Sequence, residues 1–194
     1  TLAPPDTSID GTFLSISDDE DTPTTVHVIR QADRNVWVQL ATDSHSGALV
    51  VVEQRPFEAS AAWGDAFPYL ALPAGYDQGN RPKARDFAMY PFWTGADFEE
   101  VEGRTIAVDV RATEQGYSMH EVRRNLEAMV AQAGGTLVFD GRIPKEASDR
   151  YDFDLKSPYS DATGFGWHEY ASLVYRVDRP EGQVWIHAAL GPMK

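Results

Sequence analysis

The sequence of 194 residues contains no cysteine, and this absence removes three kinds of chemistry at once. Disulfide bonds, thiolate metal sites and cysteine nucleophiles are all excluded. A chain without thiols also fits a protein that is exported to an oxidising compartment, where a stray thiol would be oxidised.

Positive charge is scarce as well, because 17 Lys and Arg residues stand against 30 Asp and Glu residues, for a formal net charge of -13. The resulting field repels phosphate backbones and anionic lipid, so we predict no nucleic-acid partner. No apolar run approaches the roughly 20 residues that cross a bilayer, which predicts no transmembrane segment in this chain. Apolar residues make up 42% of the sequence, enough for an ordinary globular core.

Residues 1–58 are predicted to form an N-terminal β-meander. The segments TTVHVIR, NVWVQLA and ALVVVEQ are rich in β-branched residues, and the turn-forming stretches QADR and TDSHSG separate them. In the middle segment Val36, Val38 and Leu40 alternate with Trp37, which places the tryptophan on the opposite face of the strand.

Residues 59–85 are rich in proline, glycine and aromatic residues and show no sustained period, so an irregular connection is expected there. Residues 86–194 are predicted to form an α+β unit that makes one compact fold with the N-terminal strands. Within it, DFAMYPF, RTIAVDVRA, TLVFDG, EYASLVYRV and QVWIHAAL have the composition of strands.

The principal helix is predicted over residues 118–133. Ser118 and Glu121 have the spacing of a capping box, and Gly134 with Gly135 supplies the stop. The apolar stripe consists of Val122, Leu126, Met129, Val130 and Ala133. The polar residues away from this stripe are expected to face solvent: Arg123, Arg124, Glu127 and Gln132. The fold class that follows is α+β, a mainly antiparallel sheet of six or more strands with this helix packed on one face.

The two ends of the sequence resemble each other. VIRQADRNVWVQL at 28–40 and VYRVDRPEGQVWIHAAL at 174–190 both run from a strand through Arg and a polar turn into Val-Trp. This pattern predicts a possible internal pseudo-repeat of a β-hairpin, although such short patterns also arise by chance.

The C-terminal half carries a family resemblance. The order of DFAMYPFWTGADFEEVEGRTIAVDVRA, SMHEVRRNLEAMVAQAGGTLVFDGR and GQVWIHAAL resembles the domain that often precedes an OmpA-like, peptidoglycan-binding domain in Gram-negative envelope proteins. The matching positions are Val101 to Arg104, Ser118, Arg124 with Asn125, Gly134 with Gly135, and Val184 with Trp185. The resemblance covers residues 86–190, about half of the chain, and rests mainly on fold-building residues.

This resemblance implies a periplasmic or otherwise exported domain, after removal of a signal peptide, with a non-catalytic role. The chain contains no recognisable OmpA-like domain, so the resemblance does not imply peptidoglycan binding.

One dipeptide invites a catalytic interpretation. His168 and Glu169 lie together in GFGWHEYAS, and with carboxylates from 149–161 they would suit a small hydrolase or a metal-assisted enzyme. No second histidine follows at the close spacing of a zinc site, and the Asp149 to Asp154 group lacks the glycine and distal glutamate of an EF-hand loop. We therefore predict no catalytic residue, no metal and no cofactor.

The tryptophans carry the other candidate site. Trp37, Trp167 and Trp185 are predicted to line an aromatic surface for a glycan or a peptide, with core packing as the alternative. The leading hypothesis is a non-catalytic cell-envelope module that binds an envelope component, protein or glycan, or associates with copies of itself. The alternative is the small hydrolase or metal-assisted enzyme based on His168 and Glu169.

Overall fold

The computed structural model describes residues 24–79, 81–114, 116–150 and 168–191. The chain is mostly antiparallel sheet with one main helix, so the predicted α+β fold is confirmed at this coarse level and is mainly β. It divides into two compact units, Thr1–Glu58 and Ala59–Lys194.

The first unit contains strands β1 (Thr24–Arg30), β2 (Asn35–Thr42) and β3 (Gly47–Gln54). The second unit contains β4 (Tyr76–Gln78), β5 (Lys83–Trp93), β6 (Phe98–Ala107), β7 (Val110–Ala112), α1 (Met119–Gln132), β8 (Thr136–Arg142), α2 (Lys145–Ser148), β9 (Ala171–Arg179) and β10 (Gly182–Leu190).

The first unit is an antiparallel meander in the order β1-β2-β3. Its turns fall at the polar stretches that separate the three segments in sequence, and each is closed by a backbone hydrogen bond. Gln31 N donates to Arg34 O at 2.8 Å, and Asp43 N donates to Ser46 O at 3.0 Å. The side chain of Asp43 also accepts from His45 N and Ser46 N, both at 2.6 Å, and these bonds lower its pKa.

The second unit is built around the sheet β10-β9-β8, which is covered on both faces. On one face α1 contributes Leu126, Met129 and Val130 to a core shared with β9 and β10. On the other face the β5-β6 hairpin contributes Tyr90 and Phe92 to a second core. The central sheet therefore lies between a helix and a second β-layer.

The strands form separate sheets, which differs from the expectation of one sheet with six or more strands. Among the described residues, β1-β2-β3, β10-β9-β8, β4-β7 and β5-β6 each pair only within their own group. The physical reason lies in β9, where Leu173 and Val174 point to opposite faces and are both fully buried. A strand that is apolar on both faces needs a layer on each side.

The capping box predicts only one of the two hydrogen bonds that satisfy backbone N–H groups at the start of α1. Ser118 Oγ accepts from Glu121 N at 3.2 Å, as expected. The reciprocal bond is replaced by Tyr76, whose hydroxyl accepts from Ser118 N at 3.0 Å and donates to the Glu121 carboxylate at 2.9 Å. Burial is the main cause of the raised pKa of Tyr76. A residue from β4 thus joins the helix cap to a distant strand.

The helix also anchors residues 59–75, which run without a long strand or helix. Asn125 is 1% exposed, and its Oδ1 accepts from Ser60 N at 2.8 Å and from Ala61 N at 3.2 Å. Its amide donates to Glu121 O at 3.0 Å. Gln132 accepts from Trp63 N at 2.9 Å, so its side chain binds backbone instead of only facing solvent. Asn125 and Gln132 of the helix therefore supply hydrogen-bond acceptors for backbone N–H groups of this irregular segment.

Arg123 is a further correction to the expectation of a solvated helix face. Its guanidinium donates to Glu127 at 2.8 Å and to Asp140 on β8 at 2.7 Å, and these bonds raise its pKa. The side chain links the helix to the sheet edge.

The two hairpins of the predicted pseudo-repeat differ in cross-strand position. Trp37 on β2 lies opposite Val28, whereas Trp185 on β10 lies opposite Arg176. The strand β1 ends at Arg30, whereas β9 continues for three residues beyond Arg176, so the tryptophan lies at a different position relative to the arginine. The pseudo-repeat stays a prediction.

Candidate functional site

The most unusual surface in the described residues is the three-stranded sheet of the first unit. Its strands expose large apolar side chains that a globular protein normally buries: Val26, Ile29, Leu40, Leu49, Val51 and Val52. Leu49 is 64% exposed and Val51 58% exposed. Contiguous exposed apolar residues commonly mark interaction surfaces.

The register assigns these side chains to faces. Residues directly opposite one another share a face, and the pairs repeat across all three strands. We call one side the Leu49 face, formed by Thr25, His27, Ile29, Val36, Val38, Leu40, Leu49, Val51 and Glu53. The other side is the Trp37 face, which carries the large apolar residues Val26, Val28, Trp37, Val50 and Val52 together with Thr24, Arg30, Asn35, Gln39, Ala41, Ala48 and Gln54. Both faces carry several large apolar side chains, so neither is a simple solvent side.

The backbone of β3 forms an open edge. The bond from Asp43 N to Ser46 O marks a hydrogen-bonded pair, and such pairs alternate along an antiparallel ladder. The residues of β3 that bond to β2 are therefore Ala48, Val50, Val52 and Gln54. The N–H and C=O groups of Leu49, Val51 and Glu53 point away from β2, and within the described residues β3 pairs with β2 alone.

Few charged residues lie along this edge. Gly47–Gln54 contains one charged residue, Glu53, and no proline or lysine. Arg34 bonds Glu53 at 3.2 Å, but both side chains are about half exposed, so the carboxylate keeps most of its access to solvent. Edge strands usually carry lysine, proline or a bulge that prevents pairing with another chain, and β3 carries none of these.

The tryptophans of the predicted aromatic surface belong to different units of the chain, and each is described by itself. Trp37 lies half-buried on the Trp37 face, between Val28 and Val52, and its indole N–H donates to Gln54 Oε1 at 3.1 Å. Trp185 is half-buried in the second unit, where the β5-β6 layer covers its face of the sheet. Trp167 lies outside the described residues. The surface formed by all three tryptophans therefore stays a prediction.

Trp185 is held by its neighbours. Its ring lies 5.4 Å from the Phe92 ring, and the Arg176 guanidinium lies 5.9 Å above it. Its indole N–H donates to Gln183 Oε1 at 3.1 Å. These contacts match the core-packing alternative for this one tryptophan.

The residues of the predicted catalytic alternative are not assembled in the described part of the chain. His168 is half-buried and Glu169 exposed, and no hydrogen bond or ion pair joins either of them to another described side chain. Asp149 is ion-paired with Lys145. Residues 151–161, which include Asp152, Asp154 and Asp161, lie outside the described residues.

A different histidine, His187, belongs to a series of hydrogen-bonded polar side chains that the sequence did not indicate. Its Nδ1 lies 2.7 Å from the Tyr90 hydroxyl, and its Nε2 lies 2.9 Å from Ser172 Oγ. Burial lowers the pKa of His187 to about 4, so the ring is neutral at physiological pH.

These three hydrogen-bonded side chains join layers of the fold and do not form a reaction site. Ser172 is fully buried, so its hydroxyl cannot reach a substrate, and a tyrosine occupies the place where a nucleophilic triad needs a carboxylate. Because Tyr90 lies on β5, the hydrogen bonds connect the β5-β6 hairpin to β9 and β10.

Metal binding and membrane crossing find no support in the described part of the chain. No group of three or more His, Asp or Glu side chains there is placed to hold a metal ion. No helix among those residues has the length and apolar character to span a membrane.

No protein-family model, curated protein or solved structure matches this chain. The resemblance to the domain that precedes OmpA-like domains therefore stays a prediction.

Proposed function

We propose that this protein is a non-catalytic module of the bacterial cell envelope that binds another envelope component through its N-terminal sheet. The observation that carries the proposal is the exposure of Leu49, Val51 and Ile29 on a sheet whose edge strand β3 pairs, among the described residues, with β2 alone. When a partner protein covers an apolar surface and pairs with its unpaired backbone groups, the free energy falls.

The envelope assignment rests on the resemblance over residues 86–190 and on the absence of cysteine. The non-catalytic assignment is supported by the positions of the histidines. His187 is neutral and hydrogen-bonded on both sides, and His168 has no described acid partner.

A photo-crosslinking amino acid placed at position 49, in the cell that encodes this protein, tests the proposal. We expect a discrete adduct with one envelope protein. The matched control is position 137, because Leu137 is also a strand leucine and is 52% exposed, but lies on β8 of the second unit. Adducts of the same yield and identity from both positions, or none from position 49, would count against the proposal.

The enzymatic alternative is tested in the same cells. We expect the His168→Ala variant to keep the adduct pattern of the parent protein. Loss of a cellular activity in a His168→Ala variant that folds and crosslinks normally would contradict a non-catalytic role.

A further inference from the structure

We propose that the open edge of β3 binds an extended, β-branched and basic segment of a partner protein, which adds to the sheet as a fourth strand. This inference rests on the proposed binding function and names the chemistry of the partner. The binding site is the row of outward-pointing backbone N–H and C=O groups at Leu49, Val51 and Glu53.

The size of the sheet favours an added strand over face-to-face stacking. Three strands about 4.8 Å apart and seven paired rows of about 3.4 Å make a face of roughly 300 Å². A stable interface needs about 800 Å² from each partner. Stacking the Leu49 face on another surface is therefore too small by itself, whereas a paired strand adds main-chain hydrogen bonds to the apolar contact.

The edge itself specifies the partner's pattern. On the Leu49 face a new strand would place its side chains beside Leu49 and Val51, which favours β-branched residues at alternate positions. Beside Glu53 a basic residue would meet the one charge that β3 carries.

Charge argues against a second copy as the occupant. Each chain carries a formal charge of -13, so two copies repel at long range, whereas a basic segment is attracted.

The test uses the full chain and a fluorescein-labelled peptide of sequence RTVTVTVR, with RTPTVPVR as the control peptide, whose two prolines interrupt the backbone donors on both edges of the strand. Fluorescence anisotropy should show binding of the first peptide only. The key variant is Val51→Lys, which puts a cation on the β3 edge. Its matched control is Val26→Lys, because Val26 is 52% exposed and lies on the opposite edge strand β1.

We expect Val51→Lys to weaken binding of RTVTVTVR by about tenfold or more, and Val26→Lys to change it by less than about twofold. Hydrogen exchange on the unsubstituted protein gives an independent readout. The peptide should slow the amides of Leu49, Val51 and Glu53 and leave the amides of β1 unchanged.

Three results would overturn the inference: equal binding of both peptides, equal weakening by both variants, or protection on β1 alone. A concentration-dependent dimer that Val51→Lys abolishes would assign the edge to a second copy and would also overturn it. Failure here with a position-49 adduct to an envelope protein would leave the proposed function standing without strand addition.

Discussion

At the scale of single residues, the structure gives roles to polar side chains that have no motif. Asn125 is one residue of the family resemblance, and its buried amide explains why an Asn suits that position: it accepts from Ser60 and Ala61 and donates to the helix backbone. His187 occurs in the apolar segment VWIHAAL, and that setting was the only sequence signal of its burial. Its partners Tyr90 and Ser172 are distant in sequence.

The lowered pKa of His187 predicts a specific pH dependence of stability. The folded-state pKa is about 4 and the ordinary value is 6.5, so between these values the unfolded chain binds the proton more readily. The contribution of His187 is complete above about pH 6.5 and is lost as the pH falls towards 4, by about 3 kcal/mol in total.

Urea unfolding at several pH values between 7 and 4 measures this effect. We expect the His187→Gln variant to be less stable than the parent at pH 7, with the difference shrinking as the pH falls. His27→Gln, at an exposed position on β1, is the control and should keep the parent's pH profile. A constant difference between His187→Gln and the parent at every pH would refute the assigned pKa.

At the scale of elements, the helix was the part of the fold most clearly written in local sequence. Its predicted range of 118–133 agrees with α1 and its two cap residues, because the cap, the apolar stripe and the glycine stop are all local signals. The insertion of Tyr76 into the cap could not be predicted, since it depends on where β4 packs.

The Tyr76 hydroxyl and the Ser118 side chain are expected to be coupled in their contributions to the free energy of unfolding. We expect Ser118→Ala and Tyr76→Phe each to lower the free energy of unfolding by about 1 kcal/mol. In the double variant the losses should fall short of additivity by about 0.5 kcal/mol or more, because both side chains satisfy the same helix start.

Chemical denaturation of the four proteins in this cycle gives the coupling free energy. His120→Ala paired with Tyr76→Phe is a matched control, because His120 is exposed on the same helical turn. Full additivity in the Ser118 cycle would mean that the two hydroxyls act independently.

At the scale of the whole molecule, the two units differ in how they bury apolar surface. The second unit holds two buried clusters, centred on Leu173 and on Val174, and both are built from residues of that unit. The described strands of the first unit contain no buried residue. A small sheet whose described strands bury so little apolar surface is only marginally stable in water.

This difference predicts unequal autonomy. A fragment of residues 59–194 should unfold cooperatively, with a midpoint within about 5 °C of the main transition of the full chain. A fragment of residues 1–58 should show no cooperative transition on its own. Calorimetry and far-ultraviolet circular dichroism of the two fragments check both statements, and a sharp, two-state transition in the shorter one would contradict the marginal stability of its sheet.

The sequence by itself determined the local elements: the three N-terminal strands with their turns, the helix with its stop, and the final hairpin. These follow from periods of 2 and 3.6 residues and from turn chemistry, which act over a few neighbouring residues. Only the tertiary structure decided that the strands divide into several sheets, that Trp185 is covered while Leu49 is exposed, and that β3 has no second partner strand in the part of the chain that the structure describes. Those outcomes depend on which surfaces meet, and alternation within one strand does not encode its partner.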